Sequence, residues 1–253
     1  MSCRKETSEP AGKSRETSEG LRVMRKAESI ITAETFRFFR ELGRNNRKKW
    51  MDENRERYRQ HVVALLRRLL DALTPSILKL HSGFLVGGRS GENFSRINRD
   101  IRFANDKTPY YTQMYLFFPR ADALGRYGGQ LYVGLSAETV TIGFRIYSWG
   151  GENTLRRVGI SRALKNDAWL ERRRKKLARK YECYWYSAEK GKWTKHPGWP
   201  REAKEWKKCK GWIVRKKFAP AAATRPGFVK DVEKIFCELF PLLAFSSLPE
   251  WKP

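Results

Sequence analysis

The feature that most constrains the fold is a change in the spacing of apolar residues partway along the chain. Between residues 50 and 73, apolar side chains recur at steps of three and four, as they do on one face of an α-helix. Between residues 131 and 146 they alternate at steps of two, as in strands that bury one face. The two patterns in succession predict an α+β domain in which an antiparallel sheet packs against helices.

The helical pattern predicts two helices before the sheet and one after it. The first begins near Ile30, with Thr32 at its N-cap. The second is longer and is expected to end at Thr74 and Pro75, because proline lacks the N–H that a helix interior requires. The C-terminal helix is expected over residues 229–243.

The strand pattern predicts a meander, in which consecutive strands pair with one another. An apolar run over residues 113–118 is followed by alternating segments around residues 131–135 and 140–146. The link between the last two is tight, so these strands should be antiparallel neighbours with one face on the core. We expect a single domain over residues 29–253, preceded by a disordered tail over residues 1–28, which is rich in Ser, Thr, Glu, Lys and Arg.

The charge of the chain indicates a polyanionic partner. Lysine and arginine number 53 against 27 acidic residues, which gives a formal net charge of +26 over 253 residues. This excess is larger than solubility requires. Nucleic acid is the commonest partner of such a surface, although an anionic membrane surface would attract the same charge.

The cysteines and the distribution of apolar residues indicate the cellular compartment. The four cysteines, at positions 3, 183, 209 and 237, are far apart and have no Cys-x-x-Cys spacing, so we expect reduced thiols and no metal site. The sequence has no signal peptide pattern and no apolar run of about 20 residues that could span a bilayer. We therefore expect a cytoplasmic protein, or a nuclear one in a eukaryotic cell, that uses no cofactor.

The best candidate for a binding site is the charged stretch over residues 96–110. If residues 96–103 form a strand, Arg99 lies among the apolar residues and needs a carboxylate, for which Asp106 is the candidate. The stretch then has two interpretations: a cradle for a phosphate or carboxylate group, or an internal salt bridge that fixes the loop. The candidate anion-binding residues are Arg96, Arg99, Asp100, Arg102, Asp106, Lys107 and Tyr110.

A second candidate surface is the basic segment over residues 161–217. It begins with a cation-rich helix over residues 161–180, and over residues 181–217 tryptophans are interspersed with lysines and arginines. Rings for stacking and cations for the backbone are typical of surfaces that bind single-stranded nucleic acid. The alternative is that the rings anchor a loop-rich segment to the core and the cations face solvent. The candidate nucleic-acid-binding residues are Arg172, Arg173, Arg174, Lys175, Lys176, Trp185, Trp193, Lys207 and Lys208.

No generic catalytic signature accompanies these surfaces. The chain has three histidines and no Gly-x-Ser-x-Gly element, so the sequence identifies no catalytic residue. Binding of a phosphate-rich polyanion such as nucleic acid is the first functional hypothesis. The alternative is an enzyme that acts on a small phosphorylated or carboxylated substrate held by residues 96–110.

Four short segments resemble one known family. They are residues 36–42 (FRFFREL), 45–50 (NNRKKW), 96–103 (RINRDIRF) and 106–110 (DKTPY). In these segments the chain is similar to the domain of unknown function 2461 family, and the resemblance extends over roughly residues 32–247. The resemblance implies a compact α+β domain and carries no established activity with it. The lysine-rich segment over residues 171–217 departs from the family pattern.

Overall fold

The computed structural model describes residues 29–121, 128–147, 161–189, 191–248 and 250–252. The tail predicted over residues 1–28 lies outside this described part. Helices and strands follow in the predicted sequence: a helical region, three strands, and then a mixed region that ends in a long helix. The α+β class predicted from the change in apolar spacing is confirmed.

The first helical region contains both predicted helices. Helix α1 spans Ala33–Arg44, and the second helix is a nearly continuous run of α2 (Lys48–Glu53), α3 (Arg55–Tyr58) and α4 (Ala64–Leu80). Between α3 and α4 the residues Arg59–Val63 form a π-helical turn. A π-helical turn contains more residues than an α-helical turn, so it changes which side chains of the following residues face the core.

The predicted end of the second helix was wrong, because Pro75 lies inside α4 and the helix continues to Leu80. Proline removes one backbone hydrogen bond from the helix. The residues beyond it still pack: Ile77 is buried in the core, so burial favours continuation. The hydroxyl of Thr74 donates to the carbonyl oxygen of Leu70 at 2.8 Å.

The predicted meander is confirmed. Strands β1 (Gln113–Phe118), β2 (Gln130–Ser136) and β3 (Val140–Tyr147) pair antiparallel in consecutive order. The tight link between β2 and β3 is closed by a hydrogen bond from the backbone N–H of Ser136 to the carbonyl oxygen of Thr139, at 3.0 Å. The register of the hairpin is therefore fixed at its turn.

The expectation that residues 181–217 are loop-rich was wrong. This part contains strands β4 (Glu182–Glu189), β5 (Lys192–Pro197) and β6 (Cys209–Phe218), with helices α5 (Ser161–Lys165) and α6 (Asp167–Ala178) before them and α7 (Ala203–Lys208) before β6. The strands extend the meander into one antiparallel sheet in the order β1-β2-β3-β6-β4-β5. Burial explains the strands, because Trp185 and Trp212 pair directly across β4 and β6 and both are buried.

One face of the sheet forms the core with the helices. The apolar residues of β2 and β3 that were predicted to share a face are fully buried: Leu131, Val133, Leu135, Val140, Ile142, Phe144 and Ile146. After the short helix α8 (Pro220–Ala223), the C-terminal helix α9 spans Phe228–Ser247, which confirms the predicted helix and lengthens it at both ends. Its Phe236 ring packs edge-on against Phe118 of β1. These helices thus cover one face of the sheet and do not cover the opposite face.

Within the described residues, no helix combines the length and the apolar character that a membrane span requires.

Candidate functional site

The face of the sheet opposite the main helices is aromatic and basic, and we call it the outer face. Because alternate residues of a strand point to the same side, the register assigns its members directly. They include four tyrosines that are partly exposed, whereas outward positions of a sheet are usually polar. The outer face carries Tyr115 and Phe117 on β1, Tyr132 on β2, Arg145 and Tyr147 on β3, Arg215 on β6, Tyr184 and Tyr186 on β4, and Trp193 and Lys195 on β5.

Three glycines on adjacent strands lie at close approaches, and two of them make room for these rings. A Cβ at Gly134 of β2 would lie 2.6 Å from Cε1 of the Tyr115 ring, and one at Gly211 of β6 would lie 2.8 Å from Cδ1 of Tyr147. At Gly143 of β3 the added Cβ would lie 2.5 Å from the backbone carbonyl oxygen of Val214. Glycine in a strand marks a close approach, and here the rings lie against the sheet over Gly134 and Gly211.

Arg145 is a mostly buried cation in the middle of the outer face. Its Nε and Nη2 donate to Oε1 of Gln130 at 3.2 and 3.0 Å, and its guanidinium carbon lies 3.8 Å from the centroid of the Phe117 ring. Burial lowers the pKa of the guanidinium, and nearby tyrosines, Tyr147 first, act in the opposite direction. No carboxylate of the described residues forms an ion pair with Arg145, which leaves part of its donor capacity for a ligand.

Arg145 opens onto a cavity of about 830 Å³ between the outer face and the charged stretch predicted from sequence, which we call the arginine cavity. The cations on its wall are Arg96, Arg99 and Arg145, and Asp100 contributes one carboxylate. A cavity of about 450 Å³ adjoins it at Tyr111, Gln113 and Arg145. The remaining residues that line the arginine cavity are Gly91, Ser95, Asn98, Tyr111, Gln113, Tyr115 and Phe117.

The wall of the arginine cavity is attached to the edge of β1. The backbone N–H of Ser95 donates to the carbonyl oxygen of Tyr115 at 3.0 Å, and the hydroxyl of Ser95 accepts from the N–H of Tyr115 at 2.9 Å. The buried amide of Asn93 donates to the carbonyl oxygen of Phe117 at 3.0 Å. These hydrogen bonds cover the open edge of β1 and fix the position at which the charged stretch begins.

The prediction that residues 96–103 form a strand was wrong. They form a loop that returns on itself, with the backbone N–H of Arg99 donating to the carbonyl oxygen of Pro109 at 2.9 Å. Aspartate turn chemistry interrupts the strand at Asp100, whose carboxylate accepts from the backbone N–H of Arg102 at 3.3 Å. Phe103, which the strand pattern placed among the apolar residues, is 95% exposed.

The predicted pairing of Arg99 with Asp106 is confirmed. Nη1 of Arg99 lies 2.6 Å from Oδ2 of Asp106, and it also donates to the carbonyl oxygen of Thr108 at 3.0 Å and to the Thr108 hydroxyl. The hydrogen bond from the backbone N–H of Thr108, with those from Arg99 and the Thr108 hydroxyl, lowers the pKa of Asp106 to about 2. Arg99 also lines the arginine cavity, so it is both part of an internal salt bridge and available on one side to a ligand.

The other predicted anion-binding residues fall into two groups. Arg96 lines the cavity and makes no hydrogen bond or ion pair within the described ranges. Arg102 is instead paired with Asp100, at 2.9 and 2.7 Å, and Nζ of Lys107 donates to the carbonyl oxygen of Ile101 at 3.1 Å.

Tyr110 lies in the core and does not line the arginine cavity. Its side chain is buried, and its backbone N–H and carbonyl oxygen bond to the side chain of Asn46 at 3.0 and 2.8 Å. The structure therefore brings Arg96, Arg99 and Asp100 together, adds Arg145, and directs Arg102, Lys107 and Tyr110 elsewhere.

The predicted nucleic-acid-binding residues on α6 and α7 lie on the helical side of the sheet. Trp169 of α6 stacks on Phe245 of α9, and Trp206 of α7 packs edge-on against Trp212, both of which belong to the core. Arg173 lies over Trp169, and Arg174 bonds to Glu171. Of the predicted cations on these two helices, those that face solvent are Arg172, Lys175, Lys176, Lys207 and Lys208.

The two tryptophans of the prediction have different environments. Trp185 is 6% exposed and its ring stacks on His196 with centroids 4.0 Å apart, so it is a core residue and its ring is covered. Trp193 is 52% exposed and lies on the outer face of the edge strand β5. The structure therefore places only Trp193 of this set with the arginine cavity's face of the sheet.

The outer-face residues Arg145, Tyr115, Phe117 and Tyr147 were missed by the sequence-based site prediction. A signal for Arg145 was present, since it is the cation in a strand whose alternate positions are all apolar. A cation that must lie on a sheet surface beside aromatic neighbours is a candidate ligand-binding residue. No spacing rule indicates that β1, which lies two strands away from β3, supplies Phe117.

In the part of the chain that the structure describes, no three side chains of His, Cys, Asp or Glu come close enough to hold a metal ion. The site's chemistry in that part consists of guanidinium groups, hydroxyls and rings.

The fold and the site define a class: an α+β domain with an aromatic, basic outer face on an antiparallel sheet. Residues 34–245 match the family described as a conserved hypothetical protein (DUF2461), and the chain belongs to that family. The resemblance drawn from the four short segments is thereby confirmed. The comparison with curated proteins finds no match to the chain.

Proposed function

We propose that this protein binds a phosphate-rich polyanion, nucleic acid, with one phosphate held in the arginine cavity. The observation that carries the proposal is Arg145, a mostly buried guanidinium with no carboxylate partner among the described residues. A buried cation costs free energy unless an anion neutralises it. Arg96 and Arg99 line the same cavity, and arginine forks match phosphate oxygens in geometry.

The composition supports a polymer as the ligand. With a formal net charge of +26, the chain attracts any polyanion over a distance set by the salt concentration. Rings beside the cations, such as the exposed Tyr111, give a nucleobase a surface on which to stack. Counterion release on binding makes the predicted affinity fall steeply with salt.

The second candidate function is an enzyme or binding protein for a small phosphorylated or carboxylated molecule. The observation that favours it is the size of the arginine cavity, about 830 Å³, within the range of small-molecule sites. In this case the same three arginines would hold the anionic group. The two functions predict different affinities. A small-molecule site binds a mononucleotide as tightly as a polymer, whereas a polymer site binds the polymer more tightly.

The test compares two variants that each lose one arginine. Arg145→Met removes the cation from the arginine cavity, whereas Arg68→Met removes an exposed cation from α4 on the helical side. We measure the affinity for fluorescein-labelled oligodeoxythymidylate by fluorescence anisotropy across a salt series. Arg145→Met should weaken binding by about tenfold or more, the value of one charge-assisted hydrogen bond, and Arg68→Met by less than about twofold.

Two results would contradict the proposal. One is no binding of single- or double-stranded DNA or RNA even at low salt. The other is an equal loss in both variants, because that indicates attraction by net charge alone. If thymidine monophosphate binds as tightly as the oligonucleotide, the small-molecule function replaces the polymer.

A further inference from the structure

A row of aromatic rings crosses the outer face from the arginine cavity to the far edge of the sheet. It begins at Phe117, 3.8 Å from the guanidinium carbon of Arg145, which in turn lies 5.7 Å from the Tyr147 ring centroid. The centroid of Tyr147 lies 5.9 Å from that of Tyr186, and Tyr186 lies 6.0 Å from Trp193. The row therefore spans strands β1, β3, β4 and β5, with the Arg145 guanidinium between the rings of Phe117 and Tyr147.

The pairing register explains why the row is continuous. Tyr147 and Tyr186 both pair with Gly211, which lies between them on β6 and has no side chain to separate them. An added Cβ at that position would lie 2.8 Å from the Tyr147 ring. A side chain at this position would therefore close the path between the two tyrosines.

Cations accompany the row along its length. Nζ of Lys195 lies 3.8 Å from the centroid of the Tyr184 ring, and the guanidinium carbon of Arg215 lies 5.3 Å from it. Both belong to the outer face: Lys195 pairs with Tyr186 of the row, and Arg215 pairs with Glu182 farther along β4. Arg215 is partly neutralised by Glu182 at 3.0 Å, whereas Lys195 makes no ion pair in the described ranges.

We propose that this row is the path of a single strand of nucleic acid, which runs from the arginine cavity to Trp193 at the edge of the sheet. The inference rests on the proposed function and specifies its ligand as single-stranded. Bases of a single strand can stack on protein rings, whereas bases inside a duplex are already stacked and paired. The 52% exposure of the Trp193 ring leaves it free to stack a base at the end of the path.

The path also accounts for the separation of the basic surfaces. The exposed cations of α6 and α7 lie on the helical side of the sheet, away from the ring row. A strand on the outer face therefore does not contact Lys175 or Lys176. These lysines contribute to the field that attracts the polymer rather than to its bound contacts.

The experiment compares oligodeoxythymidylates of two and ten nucleotides. Trp193→Ala should raise the Kd of the ten-nucleotide strand by about fivefold to a hundredfold, the value of one stacked base, and leave the two-nucleotide Kd within about twofold. Trp193→Phe should restore most of the affinity for the longer strand. Phe103→Ala, which removes another exposed ring outside the cavity and the row, is the matched control and should change neither.

Each possible result has a distinct meaning. If Trp193→Ala leaves the ten-nucleotide affinity unchanged while Arg145→Met weakens both lengths, the path is wrong and the cavity function stands. If a ten-base-pair duplex binds as tightly as the single strand, the inference is also overturned. If neither length binds at low salt, or if Arg145→Met has no effect, the proposed function itself fails.

Discussion

The cavity's arginines are held in two different ways, and this difference determines what each can do. Arg99 is fixed by Asp106 and Thr108, so its charge is largely compensated and its position is set before any ligand arrives. Arg145 is held by Gln130 and by rings, which orient the guanidinium without neutralising it. Arg99 therefore organises the wall of the arginine cavity, and Arg145, together with Arg96, supplies its uncompensated charge.

The Asp106 carboxylate should make the stability of the fold depend on pH in the acid range. Its pKa in the folded state is lowered to about 2, below the ordinary value of about 3.9, so its contribution is full above about pH 4 and is lost as the pH falls toward about 2. Asp106→Asn should therefore be less stable than the wild type near pH 5. The difference should shrink toward about pH 2 in urea unfolding curves; an equal difference at both pH values would contradict the assignment.

At the residue scale, the sequence predicted the pairing of Arg99 with Asp106 and missed the contacts of Arg145. The separation of the partners along the chain explains both outcomes. An arginine among apolar residues requires a nearby anion, and Asp106, seven positions away, was the candidate that local turn chemistry could bring to it. Arg145 depends on Phe117 and Gln130, which reach it only after three strands pair. Local chemistry could be predicted, whereas contacts across strands could not.

At the scale of elements, the junction of β3 and β6 determines whether the sheet is one piece. Antiparallel pairing along its full length joins the predicted meander to the hairpin of β4 and β5. Gly143 pairs with Arg215 at the centre of the junction, where the backbone of Val214 approaches closely. No side chain larger than hydrogen fits there without moving a strand.

Gly143→Ala should therefore destabilise the protein. The added Cβ would lie 2.5 Å from the carbonyl oxygen of Val214, and overpacking against backbone costs about 1–3 kcal/mol. Gly87→Ala is the matched control, because its nearest contact would be Nε of Arg89 at 4.0 Å. Guanidinium unfolding should give a lower free energy for the first variant and a nearly unchanged one for the second. Equal stability of the two would mean that the strands can separate at no cost.

The elements that sequence predicted are those with uninterrupted local periodicity. The helical stripe before the sheet and the alternation in β2 and β3 both extend far enough to be recognised. In β6 the cations Lys210, Lys216 and Lys217 interrupt the apolar pattern, so the strand resembled a loop. The predicted helix ended too early, at Pro75, because proline removes a backbone hydrogen bond. In the structure, packing of the residues beyond Pro75 outweighs that loss, and α4 continues.

At the scale of the whole molecule, the excess positive charge is divided between two sides of the sheet. The arginine cavity and the ring row lie on the outer face, and the exposed cations of α6 and α7 lie on the helical side. A single ligand on one face cannot neutralise both. The two sets should therefore be separable by mutation.

Salt dependence distinguishes the contributions of the two sides. A contact with one phosphate of a single strand changes the slope of log Kobs against log salt concentration by about 0.7. Arg145→Met should reduce the steepness of the slope by about this amount, whereas the double variant Lys175→Glu and Lys176→Glu should leave it unchanged. The measurement is a titration of oligodeoxythymidylate at several salt concentrations. A reduction by the α6 variant as large as that of Arg145→Met would place phosphates on the helical side as well.

The strand order has a consequence for synthesis on the ribosome. Strand β3 pairs with β6, from Val140 opposite Phe218 to Tyr147 opposite Gly211, so its second edge stays open until about 70 further residues have been made. At about 5–20 residues per second this takes several seconds, during which the edge could pair with another nascent chain. A charged residue in an edge strand discourages such pairing. We therefore expect Arg145 to reduce aggregation of the growing chain during synthesis.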